Sequence, residues 1–263
     1  MLVLVTNDDG IGAEGINALR RALSAVEGVE VGVIAPDSNR SATARSITTR
    51  SPIWVEEITY DDGSTGYATE GTPVDCVRFA DLGLLGEKPD LIVSGINKGW
   101  NLGDDVTYSG TVSGALEGAL LGIPAIAVST QNFHRRNEFE FGPSARAAAT
   151  VAELALERGM PKFIFLNINV PYGLNKGFRV TVQAKRNHVT IVDERCDPRG
   201  KNYYWIEEGE NDWEPHDRSD YQAVRNGYVS VTPLQADMTD HEALEKLESL
   251  EIESTPADSS VRR

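Results

Sequence analysis

Residues 1–36 read MLVLVTNDDGIGAEGINALRRALSAVEGVEVGVIAP, and this stretch predicts the architecture of the chain. Its first apolar run, Leu2 to Val5, is continuous, as in a strand that is buried on both faces. Apolar residues at helical spacing follow over about 13–26, and a second apolar run over 29–35 ends at Pro36. A strand, a helix and a strand in this order predict a βαβ unit with parallel strands.

The rest of the chain continues this alternation. Apolar runs and helical patterns predict strands at 91–93, 124–129 and 163–169 and helices at 111–121 and 143–158. A β-hairpin is predicted over 48–70 with its turn at Asp62-Gly63, and Thr72 to Asp75 has the signature of a helix start. We therefore predict an α/β fold with a doubly wound, mostly parallel sheet and a Rossmann-like core.

The composition changes after about Pro171, and the C-terminal part reads as an appendage with a β-hairpin arm and a helix. Residues 186–226 are polar, with scattered aromatic side chains and little periodicity, so we predict an extended arm that packs on another subunit. The predicted division is a catalytic core at 1–185, the arm at 186–226, a returning strand and helix at 227–252 and a flexible tail at 253–263.

The composition also limits the partners and the location of the chain. It has 263 residues and a formal net charge of -15, which repels nucleic-acid backbones, so we expect no nucleic-acid partner. Two cysteines, Cys76 and Cys196, are too few for a disulfide framework, and we expect reduced thiols. The N-terminus lacks a basic start, and no run reaches the roughly 20 apolar residues of a membrane span, so we expect a cytoplasmic protein without membrane association.

Polar and glycine-rich segments follow three predicted strands, at 6–12, 36–46 and 94–110. Ligands of parallel α/β sheets bind at the carboxyl ends of the strands, so we expect these three segments at one edge of the sheet. This convergence predicts the functional site more strongly than any single motif.

The sharpest feature of that edge is the pair Asp8 and Asp9, directly after the first strand. Two carboxylates at a buried strand end repel each other and lose hydration. Both therefore stay ionised only when a cation lies beside them. An all-oxygen site suits Mg²⁺ or Mn²⁺. The alternative is that one acid caps the following helix while the other faces water; Gly10 and Gly12 nearby favour the metal.

Other polar residues of these segments are weaker candidates. Asn97 offers a neutral carbonyl oxygen, and neutral ligands limit the negative charge of a metal site so that a phosphate dianion can approach. Ser41 by itself is an ordinary loop serine. Lys98 and Arg40 are candidates to neutralise phosphate charge, and His134 is a candidate general acid.

The segment Tyr108-Ser109-Gly110-Thr111-Val112 precedes a helix of small residues. Backbone N–H groups and hydroxyls at such a start form a cradle for an anion, although capping by Ser109 or Thr111 explains the segment equally well. It is not a Walker P-loop, because no Gly-Lys-Ser/Thr ends the glycine run, and Gly10 to Gly15 is a poor dinucleotide fingerprint. We expect Asp104-Asp105 to be a solvated or capping pair rather than a second metal site.

The motifs around these candidates are long and occur in a fixed order. They are NDDG at 7–10, APD at 35–37, NRS at 39–41, GTPVDCV at 71–77, SGIN at 94–97, NLGDD at 101–105, YSGTV at 108–112, GIPA at 122–125, DPRG at 197–200, YYW at 203–205 and GYVSVTPL at 227–234. Over about residues 1–240, the chain resembles the survival protein E (SurE) family of 5′-nucleotidases.

This resemblance implies hydrolysis of nucleoside 5′-monophosphates and assembly into homodimers or homotetramers, partly through the arm. It implies one divalent metal in each subunit, Mg²⁺ or Mn²⁺, with the ligands Asp8, Asp9, Ser41 and Asn97. We place the phosphate at Asn97, Ser109, Gly110 and Thr111. Ala42 and Ala44 depart from the family, which often carries Gly at the first position and Gly or Ser at the second.

For the reaction, our hypothesis is that the metal polarises a phosphoryl oxygen and lowers the pKa of a water that Asp8 or Asp9 orients and deprotonates. A covalent phospho-aspartate on either acid stays open, although a carboxylate that binds a metal is a poor nucleophile. The alternative functions are a broad-specificity acid-type phosphatase, a short-chain exopolyphosphatase, a Mg²⁺-binding receiver-like module and a nucleotide-binding or assembly protein with a vestigial metal site.

Overall fold

The computed structural model describes residues 1–131, 139–173, 175–187, 190–208 and 212–248. The strands are β1 Leu2–Thr6, β2 Glu30–Pro36, β3 Val55–Thr59, β4 Thr65–Thr69, β5 Leu91–Lys98, β6 Ala125–Thr130, β7 Ile164–Val170, β8 Phe178–Val180, β9 Arg186–Asn187, β10 Thr190–Cys196, β11 Asn202–Glu208, β12 Asp212–Trp213 and β13 Val229–Gln235. The helices are α1 Glu14–Ser24, α2 Pro73–Asp81, α3 Gly110–Leu120, α4 Phe141–Arg158, α5 Asp220–Arg225 and α6 His241–Glu248, with a 3-10 helix at Gly103–Thr107. Within these ranges, no helix has both the length and the apolar character needed to cross a bilayer.

The main sheet has nine strands in the order β3-β4-β2-β1-β5-β6-β7-β13-β8. The strands from β4 to β7 in this order are parallel. β3 pairs antiparallel with β4 near one edge, and β13 pairs antiparallel with β7 near the other. The predicted α/β fold with a mostly parallel sheet is confirmed.

Helices cover both faces of this sheet and give it two apolar cores. α1 and α4 pack over one face, where they bury Val3, Val93 and neighbouring side chains. α2 and α3 pack over the other face, where Cys76 and Ala115 meet Leu4. Alternate residues of a strand point to opposite faces, so the first part of each central strand is mainly apolar on both faces, as in Leu2 to Val5 and Leu91 to Val93, and the sheet is doubly wound.

Local sequence sets the ends of several elements as predicted. Thr72 caps α2 in a capping box with Asp75, and Pro73 occupies the first turn. The hairpin of β3 and β4 lies within the predicted range 48–70. β5 is longer than the predicted 91–93, because residues up to Lys98 continue to pair with β6.

The predicted arm at 186–226 contains a projecting hairpin and segments that contact the core. β10 and β11 form the antiparallel hairpin over 190–208. Before and after it, Arg186 forms an ion pair with Asp105, and Asp220 is fully buried. The predicted returning strand is β13, and the predicted C-terminal helix is α6 over the described residues; the predicted tail at 253–263 lies outside them.

Candidate active site

The strand order reverses beside β1, which opens a crevice at the carboxyl ends of β1 and β5. β2 lies on one side of β1 and β5 on the other. Doubly wound sheets bind their ligands at such a point. The loops meet there as predicted: the Ile11 N–H donates to the Pro36 carbonyl at 2.8 Å, and the Arg40 N–H donates to the Asp8 carbonyl at 2.7 Å.

Asp8 lies at the base of this crevice. Asn7 closes the turn after β1 by exchanging hydrogen bonds of 2.9 and 3.2 Å with the backbone of Gly10. Asp8 is 3% exposed and accepts a short hydrogen bond from the Thr111 hydroxyl. Burial raises the pKa of Asp8; the hydrogen bond from Thr111 opposes this effect, and the charge of Asp9 adds to it.

Asp9 is half-buried and faces β5 and the loop after β2. It accepts a hydrogen bond from the backbone N–H of Lys98 and a long one, 3.4 Å, from the Asn39 side chain. Burial raises the pKa of Asp9, while the Lys98 N–H and the Lys98 charge lower it. Both carboxylates are therefore destabilised in their charged form unless a cation is close.

The N-terminus of α3 approaches Asp8 closely. A Cβ at Gly110 would lie 2.8 Å from the Cβ of Asp8 and 2.9 Å from its Oδ2, so a larger residue would displace one of the two segments. The Ser109 hydroxyl accepts from the Val112 N–H at 3.1 Å, so Ser109 caps the helix, as one of the two interpretations predicted. The positive end of the α3 dipole therefore lies against the carboxylate of Asp8.

Ser41 belongs to the exposed loop after β2. Its N–H donates to the Asn39 side chain at 2.8 Å, and the Ala44 N–H donates to the Tyr108 carbonyl at 3.2 Å. Ala42 and Ala44 have φ angles of 58° and 49°, in the left-handed region. This conformation is unfavourable for alanine and free for glycine, so glycine would suit both positions.

Asn97 and Lys98 form the third side of the crevice at the end of β5. The Asn97 amide nitrogen donates a hydrogen bond to the Gly99 carbonyl at 3.0 Å. The side-chain oxygen of Asn97 can therefore act as a neutral ligand of a cation. The Lys98 ammonium lies 5.9 Å from the ring centroid of Phe139. Lys98 also lines the cavity, so it stays the candidate cation for an anionic substrate of this acidic chain.

A single cavity of about 330 Å³ brings these segments together. Among the residues singled out in the sequence, its lining includes Asp8, Ser41, Asn97, Lys98 and Ser109. Asp9, Gly110 and Thr111 lie beside it through their contacts with Lys98 and Asp8. The residues predicted to form the site therefore meet at one place.

Comparison with known proteins assigns the chain to a family. A sequence model described as Survival protein SurE matches residues 3–190. The chain belongs to the SurE family. A 5′-nucleotidase SurE from Syntrophotalea carbinolica is 44% identical over 247 residues, which cover 94% of this chain and 96% of the relative. A 5′-nucleotidase SurE from Pelobacter propionicus is 47% identical over 247 residues, covering 93% and 97%.

A solved structure shows the same fold. The crystal structure of the SurE protein from Aquifex aeolicus matches this chain with a TM-score of 0.79 and 41% sequence identity. The match covers 95% of this chain and 100% of the other. The predicted SurE resemblance and the predicted fold are both confirmed.

Five residues of this SurE cavity were not predicted as site residues. They are Ala42, Trp100, Asn101, Asp105 and Tyr108. Trp100 is fixed, because its indole N–H donates to the Val170 carbonyl at 2.8 Å. Asp105 lines the cavity and forms an ion pair with Arg186, so the cavity wall contains a carboxylate that is already paired with a cation.

Buried amides hold the back wall of the SurE cavity. The Asn101 N–H donates to the Asn169 side chain at 2.8 Å, and the Asn101 carbonyl accepts from Asn167 and Asn169 at 2.8 and 3.0 Å. The Asn101 amide donates to the Ser129 hydroxyl at 2.7 Å. Polar residues inside the otherwise apolar strands β6 and β7 were the available signal for this wall, because buried amides require partners.

The side chain of one weaker candidate, Arg40, makes its contacts elsewhere; Asp105 lies in the cavity wall, and His134 is not described. The Arg40 guanidinium donates to Asp37 at 3.2 Å and to the Glu70 carbonyl at 3.0 Å, so its interactions are with the ends of β2 and β4. Asp104 and Asp105 lie in the first turn of the 3-10 helix. His134 lies outside the described residues.

The oxygen donors of this SurE site fit a hard divalent cation. Asp8 and Asp9 offer carboxylates, and Ser41 and Asn97 offer neutral oxygens of the kind that Mg²⁺ and Mn²⁺ accept. In the described part of the chain, no group of three or more His, Cys, Asp or Glu side chains is arranged to hold a metal. Two carboxylates balance the charge of one divalent ion, so a phosphate dianion can still approach.

The pKa shifts of Asp8 and Asp9 predict how stability depends on pH without metal. Both pKa values are raised above 3.8, so the two carboxyl groups stabilise the folded state when they are protonated. This contribution to the free energy of unfolding is full below pH 3.8 and is lost as the pH rises through the folded-state pKa values. In EDTA, the free energy of unfolding of the wild-type chain should fall relative to that of Asp9→Asn as the pH rises above 3.8. Urea unfolding measures this difference; Mn²⁺ should reduce it, and a difference independent of pH would contradict the prediction.

Proposed function

We propose that this chain is a metal-dependent 5′-nucleotidase that hydrolyses nucleoside 5′-monophosphates to nucleoside and phosphate. The observation that carries the proposal is the adjacent pair of carboxylates, Asp8 and Asp9, beside one cavity, with Asp8 set against the N-terminus of α3. The carboxylates attract a divalent cation, and the helix end and Lys98 favour an anion. The crevice therefore suits a cation and a phosphoryl group side by side.

The names of the relatives support this proposal. The chains from Syntrophotalea carbinolica and Pelobacter propionicus are both named 5′-nucleotidase SurE and match nearly the whole length of this chain. The enzyme class predicted from the sequence, a phosphoric monoester hydrolase, is the class that these names carry. The cytoplasmic location expected from the sequence stays a prediction.

The proposed cofactor is one divalent ion, Mg²⁺ or Mn²⁺, in each subunit. Its proposed ligands are Asp8, Asp9, Ser41 and Asn97. When bound, such an ion supplies Lewis acidity toward the phosphoryl group and the attacking water.

The residues of the chain then bind, orient and exchange protons. The start of α3 binds the non-bridging phosphoryl oxygens, where negative charge increases, through the Gly110 N–H, and Lys98 compensates the charge of the dianion. The Thr111 N–H donates to the Asp8 carboxylate. Thr111 also fixes the Asp8 carboxylate through its hydroxyl. Asp9 is more exposed than Asp8, so it is the carboxylate better placed to orient water and accept its proton.

A substrate panel tests the proposal. The purified chain is incubated with nucleoside 5′-monophosphates, matched 3′-monophosphates, p-nitrophenyl phosphate and short polyphosphate, each with Mn²⁺, Mg²⁺ or EDTA. We expect steady phosphate release from the 5′-monophosphates, its loss in EDTA and its recovery when metal is restored. Preference for p-nitrophenyl phosphate or polyphosphate would instead favour a broad-specificity phosphatase or an exopolyphosphatase. Metal binding without turnover would favour a receiver-like module or a vestigial site.

The hairpin of β10 and β11 is proposed to serve assembly into a homodimer or homotetramer. Its apolar side chains are exposed, with exposed fractions of 58% for Tyr204, 55% for Trp205 and 79% for Ile206. Apolar patches of this kind on a surface are typical of contacts between proteins.

Removal of the hairpin should reduce the size of the assembly and leave metal binding intact. Residues 191–207 are replaced by a short turn, which is feasible because positions 190 and 208 pair across the hairpin. Size-exclusion chromatography should show a larger elution volume, while Mn²⁺ titration should give an unchanged affinity. The variant keeps Arg186 and Asp220, which contact the core. An unchanged elution volume would contradict a role of the hairpin in assembly.

A further inference from the structure

α3 carries a buried charge that the proposed reaction does not use. Glu117 is 1% exposed and lies between Arg45 and Arg78. Arg45 donates to Oε2 of Glu117 from two nitrogens, at 2.7 and 3.1 Å. Arg78 donates to Oε1 at 2.8 Å. Each carboxylate oxygen therefore has its own arginine, as a buried charge requires.

The two arginines belong to different parts of the chain. Arg78 lies on α2, a helix that already packs against α3 through apolar side chains. Arg45 lies on the loop between β2 and β3, a few residues after Ser41. Arg45 therefore links Glu117 to the loop that carries Ser41, a residue of the predicted cation site.

The loop that carries Ser41 is attached to the body of the protein by hydrogen bonds and by one ion pair. The Ala44 N–H donates to the Tyr108 carbonyl, the Ser46 carbonyl accepts from Thr72, and Thr48 donates to Asp75. Over residues 41–48, Arg45 makes the one ion pair to the body that the described residues show, and it is the attachment with a charge on both partners. Ala42 and Ala44 hold the left-handed conformation, which persists in alanine where surrounding contacts enforce it. A two-nitrogen contact from Arg45 to a buried carboxylate is a rigid attachment of this kind.

We propose that Glu117, acting through Arg45, is a positioning residue that holds Ser41 at the divalent-cation site. This inference rests on the proposed function, because it requires the cation site at the crevice. Glu117 lies about two turns along α3 from Gly110. One helix thus places its N-terminus against Asp8 and, from its middle, contacts the loop that carries Ser41.

Mn²⁺ affinity of two matched variants tests the inference. Arg45→Ala and Arg78→Ala each remove one partner of the same carboxylate, and the two arginine side chains are similarly exposed, at 45% and 46%. Arg45→Ala should weaken Mn²⁺ binding by about 10- to 100-fold, as loss of an outer support of a metal ligand does. Arg78→Ala should leave Mn²⁺ binding unchanged. Titration calorimetry measures the affinity, and thermal unfolding in EDTA confirms that both variants are folded.

Two further variants separate positioning from stability. Arg45→Lys keeps the charge and loses the forked contact, so it should recover part of the affinity. Glu117→Gln should weaken Mn²⁺ binding as much as Arg45→Ala does, and the double variant should lose no more than either single one, because both changes break the same link.

Each result bears on the inference in a defined way. Wild-type Mn²⁺ affinity in Arg45→Ala, or an equal loss in Arg78→Ala, would overturn the positioning role and leave the proposed function standing. A wild-type chain that binds neither Mn²⁺ nor Mg²⁺ would overturn the proposed function and this inference with it.

Discussion

Asp9→Asn should lower kcat by about 10³-fold or more while the chain stays folded. The amide removes one of the two negative charges that attract the divalent ion, and it is not a base for the proton of water. It has nearly the size of the carboxylate and keeps an oxygen for the Lys98 N–H. Steady-state hydrolysis of a nucleoside 5′-monophosphate at high Mn²⁺ concentration measures the change, together with Mn²⁺ titration.

Asp61→Asn is the matched control for this variant. It makes the same chemical change at an exposed position in the turn between β3 and β4, so kcat should be unchanged. Burial raises the pKa of Asp9, so its charge is unfavourable in the metal-free fold. In EDTA, Asp9→Asn should therefore unfold at the same or a higher temperature than the wild type. Near-normal turnover by Asp9→Asn would show that the metal assignment is wrong.

Gly110→Ala should lower kcat/KM by about 10²-fold, because its methyl group occupies the space of Asp8. The added Cβ would lie 2.8 Å from the Cβ of Asp8, and no flexible side-chain end is available there to move away. Either Asp8 or the start of α3 must shift, and both belong to the proposed site. Kinetics with a nucleoside 5′-monophosphate and Mn²⁺ titration measure the effect.

Gly142→Ala provides the control for the loss of a glycine at a helix start. Gly142 lies in the first turn of α4, and a Cβ there meets the Arg146 guanidinium at 3.4 Å, an ordinary contact with a flexible side chain. This variant should keep wild-type kinetics. If Gly110→Ala also keeps them, the close approach of α3 to Asp8 has no role in catalysis.

Much of the fold was predictable because its signals are local. The continuous apolar run of β1, the helical stripe of α1 and the capping residues Thr72 and Pro73 each specify an element within a few residues. The extent of β5 was not predictable in this way. Its last residues are polar or glycine, and they are strand because β6 supplies hydrogen bonds beside them.

The candidate site was predictable to a similar degree. Asp8 and Asp9 are adjacent in the chain, and their position after a buried strand places them at the edge of the sheet where ligands bind. The supporting contacts were not visible: Thr111 binds Asp8 across 103 positions, and Arg45 binds Glu117 across 72. Neither threonine nor glutamate has a local pattern that distinguishes these roles from helix capping or a solvated helix face.

The sequence by itself determined most strands and helices of the parallel core and the acidic pair at its edge, since periodicity and neighbouring residues encode them. The tertiary structure decided which distant polar groups meet, such as Asn101 with Asn169 and Glu117 with Arg45. The physical reason is that a buried polar or charged group must find partners, and chain packing determines which partners lie within hydrogen-bonding distance.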